Sequence, residues 1–137
     1  MKSKFDHIIR LIPALKHDDF GEWIIDREND GTPEHPIQFP YVRYSACVRE
    51  LEQAIYELEE EFGLCKYHEI LQRHGIDIKS REKTDVSKFD ATATLALLYS
   101  VIRAERMCDG ILFDFLKSGA ILRWLERLQE IAEKEKR

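Results

Sequence analysis

The densest group of side chains able to do chemistry in this chain is Arg103-Ala-Glu105-Arg106-Met-Cys-Asp109-Gly110. At helical spacing Arg103 and Arg106 share one face, while Glu105 and Asp109 share another. Two readings follow. Clustered guanidinium groups fork onto phosphate or carboxylate oxygens, and together with Arg123 they would form an anion site. Alternatively the arginines pair with Glu105 or Asp109 in a structural knot, with Asp109 also capping the next helix. Charged groups emerging from an apolar helix need partners, because an unpaired buried charge is strongly destabilising. The knot is the favoured reading.

A second group is aromatic. Trp23, Phe39, Tyr41 and Tyr44 lie in a proline-marked stretch with Pro33, Pro36 and Pro40. Tyrosine and tryptophan join apolar area to a polar tip and so suit a binding surface. The plainer reading, and the favoured one, is a lid over a small core. The candidate binding residues are therefore Arg103, Glu105, Arg106, Asp109, Arg123, Trp23, Tyr41 and Tyr44.

Other chemistry has little support. Cys65 and His68 are followed by His74, but no second pair stands at zinc-like spacing, and His7, His17 and His35 are scattered. No Gly-x-Ser-x-Gly, no cysteine paired with a histidine and an orienting group, and no glycine-rich phosphate loop occurs. No cofactor or metal is expected, and no residue earns a catalytic role. Glu57, Glu59, Glu60 and Glu61 read as a solvated face, or more sharply as an acidic surface that mimics nucleic acid for a protein partner.

The elements that must position these residues are mainly helical. The chain has 137 residues, 44% hydrophobic and 34% charged, which fits one globular domain with a heavily charged surface. Phe5, Ile8, Ile9, Ile12 and Leu15 mark a first helix opened by a Ser3–Asp6 capping box and interrupted at Pro13. Glu22 to Ile25 is β-prone, and Ile37-Gln38-Phe39 and Tyr41 to Tyr44 could form an irregular hairpin with residues 22–26, the alternative being an ordered loop. Ser45 is placed as the cap of a helix carrying Val48, Leu51, Ile55, Leu58 and Phe62, ended by Gly63. Tyr67 to Arg73 is a shorter helix, and residues 76–86 read as a connecting loop. Ser87 and Asp90 form a second capping box before Ala91 to Ile102, a helix apolar nearly all round and so central to the domain. Ile111 to Lys117 and a last helix from Ala120, with Ile121, Trp124, Leu125, Leu128 and Ile131 on one face, complete the chain. The expected architecture is a compact mainly α domain with a small extended or hairpin insertion after the first helix.

Gly21-Glu-Trp23, Pro40-Tyr41-Val-Arg-Tyr44, Ile102-Arg-Ala-Glu-Arg-Met-Cys-Asp-Gly110 and Ile121-Leu-Arg-Trp-Leu-Glu-Arg-Leu128 resemble a widespread bacterial family, domain of unknown function 6508. The resemblance covers nearly the whole chain. It implies a bacterial or phage-borne cytosolic protein of shared architecture, and no activity.

Charge and composition limit the function classes. The net charge is −5, from 26 acidic against 21 basic residues, which disfavours a generic nucleic-acid binder. The apolar run from Ala91 to Ile102 is too short to span a bilayer, and a start without an apolar segment argues for a cytoplasmic protein that leaves the membrane alone. The reading that follows is a non-catalytic binding or regulatory module acting through a protein partner. The alternatives are a small-molecule or anion-binding protein or enzyme using the arginine cluster, and an acidic inhibitor of a nucleic-acid-handling protein. A homodimer fits any of them. Because Cys47, Cys65 and Cys108 lack metal spacing, the purified protein should carry no stoichiometric zinc, and all three thiols should react once the chain is unfolded. Elemental analysis finding about one zinc per chain would overturn this.

Overall fold

The computed structural model describes residues 4–17 and 19–135. Ser3 of the expected first capping box lies outside them. Among the described residues, eight α-helices and two 3₁₀ segments make the structure 59% helical, with one two-stranded antiparallel hairpin after the first helices. Helices α1 (Asp6–Ile9) and α2 (Ile12–Leu15) are two short turns in place of one helix. Pro13 explains the break, since it sits in the first turn of α2, where its missing N–H costs nothing.

Helix α3 (Ala46–Tyr56) follows the expected apolar face, burying Val48, Leu51, Ala54 and Ile55. Ser45 stands at its cap position, but its hydroxyl lies 3.2 Å from the Cys47 thiol and caps no backbone N–H. The single helix expected through Phe62 breaks at Glu57–Leu58, and α4 (Glu59–Phe62) restarts beyond a tight turn in which the Leu58 N–H bonds the Ile55 carbonyl. The crowded glutamates disfavour one continuous helix there, because like charges a turn apart repel. Gly63, at φ 62°, closes α4 in the left-handed conformation that glycine adopts without strain.

Helix α5 (Tyr67–Arg73) leads into residues 76–86, which are more ordered than a plain loop. Ile78–Lys83 forms 3₁₀ turns opened by the Asp77 side chain, which accepts the Lys79 N–H at 3.0 Å, and Arg81 is buried within them.

Helix α6 (Ala91–Glu105) is the centre of the domain: every residue from Ala93 to Ile102 is buried. It is opened by Asp90 itself, whose Oδ1 accepts the Ala93 N–H at 2.8 Å; Ser87 instead donates its N–H to Asp85. Helices α3, α5, α7 (Ile111–Lys117) and α8 (Ala120–Glu135) all pack on α6. Helix α8 buries Ile121, Trp124, Leu125, Leu128 and Ala132. Each aliphatic side chain taken fully from water in this way stabilises the fold by about 1.5–3 kcal/mol.

The hairpin joins β1 (Gly21–Ile24) to β2 (Tyr41–Tyr44), with Gly21 opposite Tyr44 and Trp23 opposite Val42. Of the two candidate partner segments, Tyr41 to Tyr44 pairs and Ile37-Gln38-Phe39 stays in the loop. Flanking Pro36 and Pro40 cannot donate to a ladder, which accounts for the choice. At Gly21, with φ 138°, a Cβ would fall 2.2 Å from the Arg43 carbonyl oxygen, so only glycine admits this pairing.

Helix α1 is held to α3 partly by His7, whose ring nitrogens lie 3.1 Å from Glu50 and 3.3 Å from Glu57. Those hydrogen bonds, the one to Glu50 first, raise the His7 pKa above its ordinary value. A raised folded-state pKa gives a stabilising contribution that is complete below the unfolded pKa of about 6.5 and is lost as pH rises through the higher folded value. His7→Gln should therefore lower the melting temperature at pH 5.5 and leave it nearly unchanged at pH 9. Equal losses at both values would refute the charged pairing.

Candidate binding site at the hairpin and the α6–α7 corner

Helix α6 ends at Glu105, and the chain turns through residues 106–110 into α7. Such a corner leaves the first N–H groups of α7 without helical partners. The Glu105 carboxylate reaches forward to meet them: it accepts the Gly110 N–H at 3.0 Å through Oε2 and the Leu112 N–H at 2.9 Å through Oε1. Oε1 also accepts the Tyr44 hydroxyl at 2.8 Å, and the same Tyr44 oxygen accepts the Phe113 N–H at 3.1 Å. Strand β2, the end of α6 and the start of α7 thus meet on two side chains. Burial first, and then the hydrogen bond to Glu105, push the Tyr44 phenol far above its ordinary pKa, which keeps it a donor.

A second contact ties the hairpin to the same corner. Gly110 has φ 94°, and a Cβ there would lie 2.4 Å from the Trp23 ring. Trp23 therefore lies directly over the bare backbone of Gly110. Across the register Trp23 shares a face with Val42 and Tyr44, and this inner face covers the corner. Glu52 of α3 belongs to the same neighbourhood: burial, and then the Glu105 charge, raise its pKa.

The Arg–carboxylate pairs expected at the end of α6 are not formed among the described residues, and a network of Glu105, Tyr44 and backbone N–H groups stands there instead. Glu105, not Asp109, caps α7; Asp109 is exposed. Among the described residues neither Arg103 nor Arg106 forms an ion pair within 4.0 Å. Their charges help hold Glu59 below the usual carboxylate range, behind the larger effects of hydrogen bonds from the Cys65 thiol and the Tyr99 hydroxyl. Arg106 is exposed, and the fold does not bring Arg123 to these two: it lies on α8 and lines a separate cleft against residues 83–87. Trp23, Tyr44 and Glu105 come together; Tyr41 faces the opposite side of the hairpin.

On that opposite side, the loop between the strands frames an open cleft of about 490 Å³, lined by Ile24–Asn29, Gln38, Phe39 and Tyr41. Asp26 closes the base of the loop by accepting the N–H groups of Gln38 at 2.9 Å and of Glu28 and Asn29 at 3.1 Å each. These bonds, the one from Gln38 first, lower its pKa to about 2. Sequence reasoning did not single out Asp26, although an aspartate opening a run of turn formers is the available signal. Glu52 and the Tyr99–Glu59–Cys65 chain were also missed, because pairings this remote leave no local pattern. Among the described residues no group of three metal-ligating side chains converges, and no helix is long and apolar enough to cross a membrane.

Fold and site together define a small α-helical domain that straps an aromatic hairpin to a helix corner. The chain belongs to the family described as Family of unknown function (DUF6508), whose sequence model matches residues 1–134. No curated protein and no solved structure matches it.

Glu105→Ala would strand the Tyr44 hydroxyl and two backbone N–H groups in a half-buried corner. At about 1–3 kcal/mol for each unsatisfied group, tempered by water, the melting temperature should fall by roughly 10 °C. Gly110→Ala, strained at its φ and in collision with Trp23, should cost on the order of 1–3 kcal/mol. Arg106→Ala should change the melting temperature little. A loss for Arg106→Ala as large as for Glu105→Ala would mean that the arginine, not the glutamate, holds the corner.

Proposed function

We propose that this protein is a non-catalytic binding module that engages a protein partner through the hairpin loop and the adjoining α6–α7 corner. The observation that carries the reading is where the large apolar side chains remain exposed. Among the described residues these are Trp23, Ile25, Ile37, Phe39, Tyr41 and Met107. Five lie between positions 23 and 41, and Met107 is in the turn whose Gly110 carries Trp23. Phe39 is 88% exposed and Met107 91%. Single exposed apolar residues are ordinary, but their confinement to one region marks an interaction surface.

Charge defines the partner. The loop of residues 25–40 holds Asp26, Glu28, Asp30 and Glu34 against Arg27, so the complementary surface is an apolar recess bordered by lysine or arginine. The same acids repel a phosphate backbone, which argues against nucleic acid. Asp26 at the loop base and Tyr44–Glu105 beneath the hairpin hold the loop in place before binding, which reduces the ordering cost of association.

The test is affinity capture with the wild type and an Ile37→Ser/Phe39→Ser double variant of unchanged melting temperature. A partner retained by the wild type, released by raised salt and lost by the variant is the expected result. Identical capture by both would reject the surface. A wild-type dimer that the variant converts to monomer, seen by light scattering, would replace a foreign partner with a second copy.

A further inference from the structure

A second site, built from residues independent of the hairpin, lies between α8 and the segment that leads into α6. There a cleft of about 350 Å³ is lined by Lys83, Thr84, Asp85, Val86, Ser87, Arg123, Arg127 and Glu130. Three cations therefore face one recess in a chain whose net charge is −5.

The acids of the cleft do not neutralise them all. Asp85 is engaged in its own turn, accepting the Ser87 N–H at 3.0 Å, and Glu130 pairs with Arg127 at 3.1 Å. Lys83 and Arg123 have no carboxylate partner among the described residues.

Both arginines are fixed in place by main-chain carbonyls. Arg127 donates through Nε to the Phe89 carbonyl at 3.0 Å, and its side chain is only 12% exposed. Arg123 donates through one terminal nitrogen to the Glu82 carbonyl. Arg127 also donates through one terminal nitrogen to Glu130 at 3.1 Å, whereas the other N–H groups of Arg123 have no hydrogen-bond partner among the described residues, and a guanidinium held at one nitrogen presents the rest in fixed geometry. Beneath the same segment, Arg81 is 7% exposed, stacks over the Phe115 ring at 5.3 Å, and has an Nε without an acceptor. No carboxylate pairs with it, so its charge adds to the positive field of this end of the domain.

We infer that this cleft binds a small phosphate-bearing ligand, with Lys83 and Arg123 supplying the charge, Arg127 a buried guanidinium edge, and the Thr84 hydroxyl a further donor. The open fork of Arg123, the remaining terminal nitrogen of Arg127 and an ammonium match the several oxygens and double charge of a phosphomonoester better than a single carboxylate.

The experiment is thermal denaturation of the whole protein against inorganic phosphate, with sodium chloride of equal ionic strength as the reference. Succinate serves as a dicarboxylate arm, and isothermal titration measures affinity. Phosphate at ten times its dissociation constant should raise the wild-type melting temperature by roughly 5 °C. Arg123→Gln and Lys83→Gln should each weaken phosphate binding by roughly tenfold or more. The exposed Lys66→Gln should leave it unchanged. Arg123 also holds the Glu82 carbonyl, so Lys83→Gln, which removes no internal contact, separates lost binding from lost folding. No stabilisation beyond chloride, equal stabilisation in all variants, or succinate binding as tightly as phosphate would each overturn the assignment.

Discussion

The Glu105 carboxylate is the constraint on which the hairpin end of this molecule depends. Helix α6 is buried for ten consecutive residues and must end in a corner that leaves the backbone donors of α7 unpaired. A short polar cap from the preceding residue is the common remedy, yet Gly110 occupies that position and has no side chain to offer. Glu105 supplies the acceptor from one turn back, and its second task follows from the first. A carboxylate already facing Gly110 and Leu112 has lone pairs left for the Tyr44 hydroxyl, so the corner becomes an anchor for a strand.

The hairpin needs that anchor because it has little else. Two four-residue strands are at best marginally stable alone. Val42 is the one buried apolar side chain they contribute, with Tyr44 tilted against Phe113 at 6.4 Å. Gly110 completes the arrangement from the helix side: lacking a Cβ, it lets the Trp23 ring come down to the backbone. Three of the four sequence strings that carry the family resemblance (Gly21 to Trp23, Pro40 to Tyr44, and Ile102 to Gly110) are therefore one structural unit. They are separated along the chain and joined in space.

Much of the fold was legible in the sequence because helical periodicity and end signals are local. Gly63, Pro13 and the mainly apolar run from Ala91 to Ile102 act within a turn or two of where they stand, and each marks an element that exists. The departures and the choices left open share a cause. The break after Tyr56, the 3₁₀ turns around Arg81, and the choice of Tyr41 to Tyr44 over Ile37 to Phe39 depend on neighbours distant in sequence. At the end of α6 the pairing differs from the one expected. Opposite charges close in sequence suggest ion pairs, but Glu105 bonds backbone N–H groups and a tyrosine 61 positions away, while Arg103 and Arg106 turn toward the Glu59 side of the domain. Arg123 was associated with anion chemistry for its residue type, and it reaches a cleft that no local pattern announced.

An exposed aromatic loop on a short hairpin carries a hazard, since open strand edges and apolar side chains recruit other chains indiscriminately. Residues around the proposed binding surface limit that risk. Pro36 and Pro40 cannot extend the ladder, the strands are only four residues long, and Glu22 and Arg43 place opposite charges on the outer face at 4.0 Å. The acids of residues 26–34 add like-charge repulsion between copies of this loop, opposing self-association while favouring a basic partner. A surface meant only to lid a core would place Phe39 beneath the loop; here Phe39 is almost entirely outside it, and charges guard the approach. That combination of an apolar tip, an acidic border and a rigid base is what selective docking requires, because the tip supplies affinity and the border rejects surfaces of the wrong charge.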